Sequence, residues 1–261
     1  MAYENILWSV EEGIGILTFN RPKVLNALSK RTFAECWQVL DEVERDPENV
    51  RALVLTGAGE KAFVAGADIA EMAAMTSLAA RRFAESAHEL LERFERLPIV
   101  TIAAVNGFAL GGGCEIAMGC DLVYASENAR FGQPEVNLGL VPGFGGSQRL
   151  TRRVGIMRAK EMVLTGDHYD ARQAKDMGLV LDVLPLPELL PHVKKVARKI
   201  ASKSPVAVAQ AKRIIEAGAN VDLTSANELE RQAFAGLFAT DDAREGMQAF
   251  VEKRPAQWKG A

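Results

Sequence analysis

Apolar positions along the chain recur first at strand and helix spacings in alternation and then, beyond about Leu184, at helical spacing alone. Ile14–Phe19 is a short β-rich run that ends at the turn signal Asn20-Arg21-Pro22. Ser29 is placed to cap a helix carrying Phe33, Trp37, Leu40 and Val43, which Asp46-Pro47 stops. Arg51–Thr56 reads as a second strand, Phe63–Asp68 as a small-residue loop, and Ile69–Met75 as the start of a helix. Arg81–Leu97 is a charged amphipathic helix ended by Pro98. A buried strand, Ile99–Val105, leads through Asn106-Gly107 to the turn Gly111–Gly113 and a helix over Glu115–Met118. Asp121–Ala125 and Arg130–Gly132 follow as strands, and Pro142–Gly146 is a glycine-rich loop with a helix over Ser147–Val154 behind it. Helices are expected over Arg158–Thr165, Asp170–Met177, Pro187–Ser202, Val206–Ala217, Thr224–Phe238 and Asp241–Lys253. This order predicts an α/β core with a helical C-terminal extension.

Composition narrows the function. The 261 residues are 48% hydrophobic and 25% charged with a net charge of −3, which suits one large domain, or a domain with an appendage. That balance argues against a nucleic acid or an anionic membrane held by bulk charge. Cys36, Cys114 and Cys120 have neither metal-ligand spacing nor a C-x-x-C, so free thiols in a reducing cytosol are expected rather than a disulfide or a zinc site. The opening Met-Ala-Tyr-Glu-Asn-Ile lacks the layout of a signal peptide. Val100–Cys120 is apolar, but glycines, Asn106 and Glu115 interrupt it, and a span needs ~20 predominantly apolar residues. A cytoplasmic protein with no membrane partner is therefore expected.

Glu115 and Glu135 stand in stretches otherwise nearly free of charge and follow turns bearing glycine or proline. An ionisable group in apolar surroundings is costly unless it is partnered or used. Two carboxylates at one apolar site cannot both ionise easily, so one tends to hold a proton while the other acts as a base. Each also has a plainer reading, as a first-turn acid favoured by a helix dipole or as a capping acid. Ala65-Gly66-Ala67-Asp68 and Gly111-Gly112-Gly113 are small-residue loops that let a ligand approach main-chain N–H groups, although such a loop alone is more often a structural turn. Facing each other, they would direct two N–H groups at one oxygen, an oxyanion hole. His88 is expected in solvent, and His168 and His192 have no nucleophile or ligand beside them. Ser147 reads as a helix cap, Arg149, Arg152 and Arg153 as a solvated face or a subunit contact, and Lys253-Arg254 with Lys259 as a solvated tail or a phosphate contact. No phosphate-binding or dinucleotide fingerprint occurs, which disfavours a dinucleotide-dependent oxidoreductase.

Longer motifs run nearly the whole length. They include Phe19–Pro22 with Asn26–Leu28, Lys61–Ile69, Ala104–Glu115, Phe131–Glu135, Pro142–Leu150, and Phe238–Asp242 with Glu245-Gly246. In this order they resemble the crotonase (enoyl-CoA hydratase/isomerase) superfamily, and specifically its short-chain enoyl-CoA hydratases. The resemblance implies an α/β spiral of ββα turns over residues 1–195 and a C-terminal helical trimerisation region over 196–261, assembled as a homotrimer or as a homohexamer made of two trimers. It implies that the N–H groups of Ala67 and Gly112 form an oxyanion hole for a thioester carbonyl and that Glu115 and Glu135 are the catalytic carboxylates. Ala65, Gly66, Ala67, Asp68, Ile69 and Ala70 are implied as the wall for coenzyme A, with Lys253 at its phosphate end. Ala70 departs from the lysine common at that position, and Phe144 is bulky where a small residue is usual.

The resemblance thus implies reversible hydration of a trans-2-enoyl-CoA to the 3-hydroxyacyl-CoA, with no metal and no cofactor beyond the coenzyme A of the substrate. Two rivals remain: an enoyl-CoA isomerase, which commonly keeps a glutamate at only one of the two positions, and a non-catalytic RNA-binding homologue, which the near-neutral charge disfavours.

Overall fold

The computed structural model describes residues 3–47 and 49–261; Met1 and Ala2 of the opening stretch, and Glu48, lie outside the described residues. A hairpin of β1 (Ile6–Glu11) and β2 (Ile14–Phe19) leads to α1 (Lys30–Arg45), β3 (Ala52–Gly57), β4 (Ala62–Ala65), α2 (Ile69–Ala73) and α3 (Ser77–Arg96). Next come β5 (Val100–Val105), β6 (Phe108–Leu110), α4 (Gly112–Met118), β7 (Leu122–Ser126), β8 (Arg130–Gly132) and a 3-10 helix over Pro134–Leu138. The chain continues through α5 (Gly146–Val154), α6 (Ile156–Thr165), β9 (Tyr169–Asp170), α7 (Ala171–Asp176), β10 (Asp182–Leu184) and α8 (Leu186–Ala201). It ends with α9 (Pro205–Gly218), α10 (Leu223–Leu237) and α11 (Asp241–Glu252).

Successive turns of the chain place one strand in each of two sheets. The six-stranded sheet has the order β1-β2-β3-β5-β7-β10 and is parallel from β2 onward. The four-stranded sheet has the order β4-β6-β8-β9, with β4, β6 and β8 parallel. This is the expected spiral of ββα turns. The strands that the sequence pattern did not predict are β1, β4, β6, β9 and β10. All but β1 are too short for a two-residue period to register, and β1 is an antiparallel edge with most of its residues partly or fully exposed. The loop expected over Phe63–Asp68 is instead strand as far as Ala65. The Ser29 cap is present, its Oγ accepting from the Thr32 amide at 3.1 Å. An unforeseen cap at Thr76, accepting from the Ala79 amide at 3.3 Å, starts α3 at Ser77 rather than Arg81.

Leu17, Leu53, Leu55, Phe63, Phe94, Val105 and Phe131 are fully buried in the main core. A second cluster joins Ile16, Val54, Ile102 and Ala104 to Leu189, Val193 and Ala197 of α8. Residue 195 lies within α8, which packs on the sheet, and α9–α11 follow it. Lys212 ties α9 back: its Nζ donates to the Phe94 and Ile99 carbonyls, both at 3.0 Å, and pairs with Asp121 at 2.9 Å. The three cysteines are free and buried. Among the described residues no helix is long and apolar enough to cross a membrane.

The passage between sheets depends on Asn106. Its Nδ2 donates to the Gly57 and Gly59 carbonyls at 2.9 and 2.7 Å, while its Oδ1 accepts from the Gly57 amide at 3.0 Å. Asn106 is buried, so truncation strands several polar groups away from water. Asn106→Ala is expected to lower unfolding free energy by about 2–4 kcal/mol in urea titrations; a loss below about 1 kcal/mol would show that the corner holds without it.

Candidate active site

Three loops separated in sequence leave the same end of one sheet. Ala65 of β4 pairs with Leu110 of β6, and Leu110 pairs with Gly132 of β8. Chain segments 66–68, 111–115 and 133–135 therefore emerge side beside side at the carboxyl ends of parallel strands, where α/β sheets present ligand sites. Ala67 and Gly112 each stand two residues past the Ala65–Leu110 pair, beyond the ends of strands about 4.8 Å apart.

Their amides are free for a geometric reason. Ala67 forms an isolated parallel bridge with Leu28, made by Leu28 N–H to the Gly66 carbonyl (2.9 Å) and Asp68 N–H to the Leu28 carbonyl (2.7 Å). The bridge uses the groups on either side of Ala67 and leaves its own N–H turned away. Gly112 is the first residue of α4, where an N–H has no intrahelical acceptor. Among the described residues neither amide has a protein acceptor. Gly111, at φ 50°, makes the turn between them possible. Space around this turn is minimal: a Cβ at Gly113 would lie 1.8 Å from the Val64 carbonyl, and one at Gly112 would lie 2.8 Å from the Phe144 ring.

Glu115 is 1% exposed. Its Oε1 accepts from the Phe144 amide at 2.8 Å, in the loop before α5, and from the Gly146 amide at 2.6 Å, at the first residue of that helix. Glu135 lies in the first turn of the 3-10 helix, partly buried, with Oε1 2.6 Å from where a Gly111 Cβ would stand. Gln133 lies between the two acids and has no exposure. With its amide oriented by its hydrogen-bonding surroundings, its nitrogen donates to both Glu135 oxygens at 3.2 Å. On its other side, a Cβ at Gly146 would be 2.8 Å from the same carboxamide and 2.8 Å from Glu115 Oε1. Both acids are thus brought to one place. Burial, and then the neighbouring Glu135, push Glu115 up to about 7 against the hydrogen bonds from Gly146 and Phe144 and the charge of Arg149. Burial raises Glu135 also. Both acids therefore hold their protons to higher pH than free carboxylates do.

Asp68 caps α2 through the Ala70 and Glu71 amides and pairs with Arg21 at 2.9 Å, which holds its carboxyl below the usual range. Ile69 and Ala70 are exposed at the rim. Lys253 stands apart, exposed as the left-handed cap of α11, with no hydrogen bond or ion pair from that helix to segment 65–70 among the described residues.

Several functional neighbours escaped sequence reasoning. The Pro142–Gly146 loop was legible as glycine-rich, but its role as the donor loop for Glu115 was not. Ser147 does not cap α5; Gly145, at φ 96°, precedes the helix instead. Arg149 is turned inward to Glu95 and to the Phe144 carbonyl, and Arg153 donates to the Met118 and Cys120 carbonyls at 2.7 Å, so only Arg152 of the three is a solvated residue. His88 is half-buried, its ring 3.3 Å from a Cβ position at Gly145.

Known proteins share both the sequence and the fold. Residues 9–261 match the Enoyl-CoA hydratase/isomerase family profile. The chain is 48% identical over 254 residues to a short-chain-enoyl-CoA hydratase of Clostridium acetobutylicum, covering 97% of each. It is 48% identical over 258 residues to a crotonyl-CoA hydratase of Syntrophomonas wolfei, covering 99% of each. The crystal structure of an enoyl-CoA hydratase from Bacillus anthracis superimposes with a TM-score of 0.95 at 41% identity, covering 99% of this chain and 100% of that one.

The raised pKa of Glu115 has a thermodynamic signature. Because the folded state keeps the Glu115 proton to about 7 rather than 4.5, its contribution to stability is complete below 4.5 and is lost as pH rises to about 7. Glu115→Gln removes that loss, so the stability of the variant relative to the parent should rise by about 2–4 kcal/mol between roughly pH 4 and 8. Urea midpoints measured across that range check it; a flat difference would place Glu115 at an ordinary value.

Proposed function

The chain belongs to the enoyl-CoA hydratase/isomerase family and is an enoyl-CoA hydratase, and from that premise we propose how its residues carry the reaction. The substrate is a trans-2-enoyl-CoA, hydrated reversibly to the 3-hydroxyacyl-CoA. Its thioester oxygen lies between the free amides of Ala67 and Gly112, where charge developing on addition is stabilised. This draws electrons from C3. A water held between the acids attacks C3 and gives its proton to Glu115, while Glu135 delivers its proton to C2. One proton enters and one leaves the pair, so the division of labour between the acids is shared.

The single observation carrying this reading is the meeting of Glu115 and Glu135 around Gln133, beside two unoccupied main-chain donors. Two amides on Oε1 stabilise the charged form of Glu115 and suit it to act as base. A second acid favours hydration over double-bond migration. Segment Ala65–Ala70 is proposed as the coenzyme A wall, with Lys253 at the phosphate end. Exposed Ile215, Leu223, Phe234, Phe238, Phe250 and Val251 on the C-terminal helices and the turns that follow them support association as a trimer or a pair of trimers. Buried free thiols fit a cytosolic location.

Glu115→Gln and Glu135→Gln should each slow loss of the conjugated enoyl-thioester absorbance by roughly 10²–10⁴. A folded variant that turns over normally would remove its residue from the mechanism. Conversion of a 3-enoyl substrate to the conjugated thioester, without hydration, would instead favour the isomerase. Phe144 packs on Phe33 and Phe83 with ring centroids at 5.7 and 5.4 Å and stands against Gly112, so its bulk shortens the space for the acyl chain. Phe144→Ala should shift kcat/KM toward longer enoyl chains over crotonyl by about tenfold; an unchanged chain-length profile would place the acyl chain elsewhere.

A further inference from the structure

The loop that holds Glu115 is itself held from behind. Arg149 Nη1 donates to the Phe144 carbonyl at 3.0 Å, while its Nε and Nη2 close a fork on Glu95 at 2.5 and 3.1 Å. Both side chains are largely sequestered, at 16% and 24% exposure. The two amides on Glu115 belong to Phe144 and Gly146, and the peptide between them is the one whose carbonyl Arg149 grips. Amides two residues apart converge on one anion only when the intervening backbone is fixed, here by Gly145 at φ 96°. A Cβ at Gly145 would fall on the Arg149 guanidinium, so the fork and the turn occupy one tightly fitted space.

We propose that Arg149, fixed by Glu95, is a positioning residue that sets where the Glu115 carboxylate sits and how readily it gives up its proton, acting through the Phe144–Gly146 loop. This rests on Glu115 being the base. The charged and titratable groups around Glu115 are few. Glu135 faces it from the 3-10 helix and opposes its ionisation, and Arg149 of α5 favours it. Cys114, adjacent on α4, is a neutral thiol pushed up to about 12 by burial. From α3 come Glu95, which reaches the site only through Arg149, and His88, set against Gly145. Arg149 is thus a cation that favours ionisation of Glu115 from behind its donor loop. Without it the amide pair loosens and the carboxylate loses a favourable charge, and both effects raise the pH at which the base becomes available.

Arg149→Met should move the acid limb of the kcat/KM profile for crotonyl-CoA upward by about one pH unit, so hydration near pH 6 falls about tenfold further than near pH 9. Arg149→Lys keeps the charge without the fork, and its limb should lie between those of Arg149→Met and the parent. A merely structural role would lower the melting temperature and the rate equally at all pH and leave the limb in place. An infrared titration of the Glu115 carboxyl band, taken as parent minus Glu115→Gln, reads the same displacement without turnover. An unmoved limb and band in Arg149→Met overturn the proposal; if that variant does not fold, Arg149→Lys decides on the same criterion. Retained turnover in Glu115→Gln removes the base assignment itself, whereas an inactive Glu115→Gln beside an unmoved limb overturns the Arg149 role alone.

Discussion

A carboxyl group withdrawn from water needs donors in place of water, and at Glu115 these are two main-chain amides. Much of the local architecture follows from that requirement. Gly146 must lack a side chain because one would strike the carboxylate and Gln133 together, and Gly145 must turn left-handed to aim both amides. Arg149 must reach back to the carbonyl between them. Partial compensation pushes Glu115 up to about 7, which under the proposed mechanism suits a general base.

The second constraint is topological. Parallel pairing of β4, β6 and β8 turns three distant loops into neighbours, so free amides and acids meet without any long side chain having to span a gap. Each loop begins where a strand ends, and the strands are held by the same winding that buries Phe63 and Phe131 in the core. The geometry of the candidate site is in this sense a by-product of core packing.

How much of this was legible in the sequence depended on length and on chemical singularity. The six-residue strands β2, β3 and β5 and the long helices announce themselves by period; β6 and β8 have three residues each, and only β8 was read as a strand, because Phe131 lies between charged and glycine neighbours. Glu115 and Glu135 stood out because charge is rare around them. Gln133 did not, being a neutral polar residue with no pattern to mark its burial. Arg149 was misread for a related reason: beside Arg152 and Arg153 it resembles a solvated cluster, and only the fold reveals Glu95 of α3 opposite it. Main-chain donors at Phe144 and Gly146 leave no trace in side-chain chemistry beyond the glycines that permit them.

The tight seating of α4 carries an evolutionary consequence. No atom can be added at Gly112 or Gly113 without colliding with Phe144 or Val64, whereas α2 on the opposite side contributes no buried residue at all. Variation is therefore channelled: the acid-bearing helix tolerates little added bulk at these two glycines, whereas the exposed α2 flank leaves room for change.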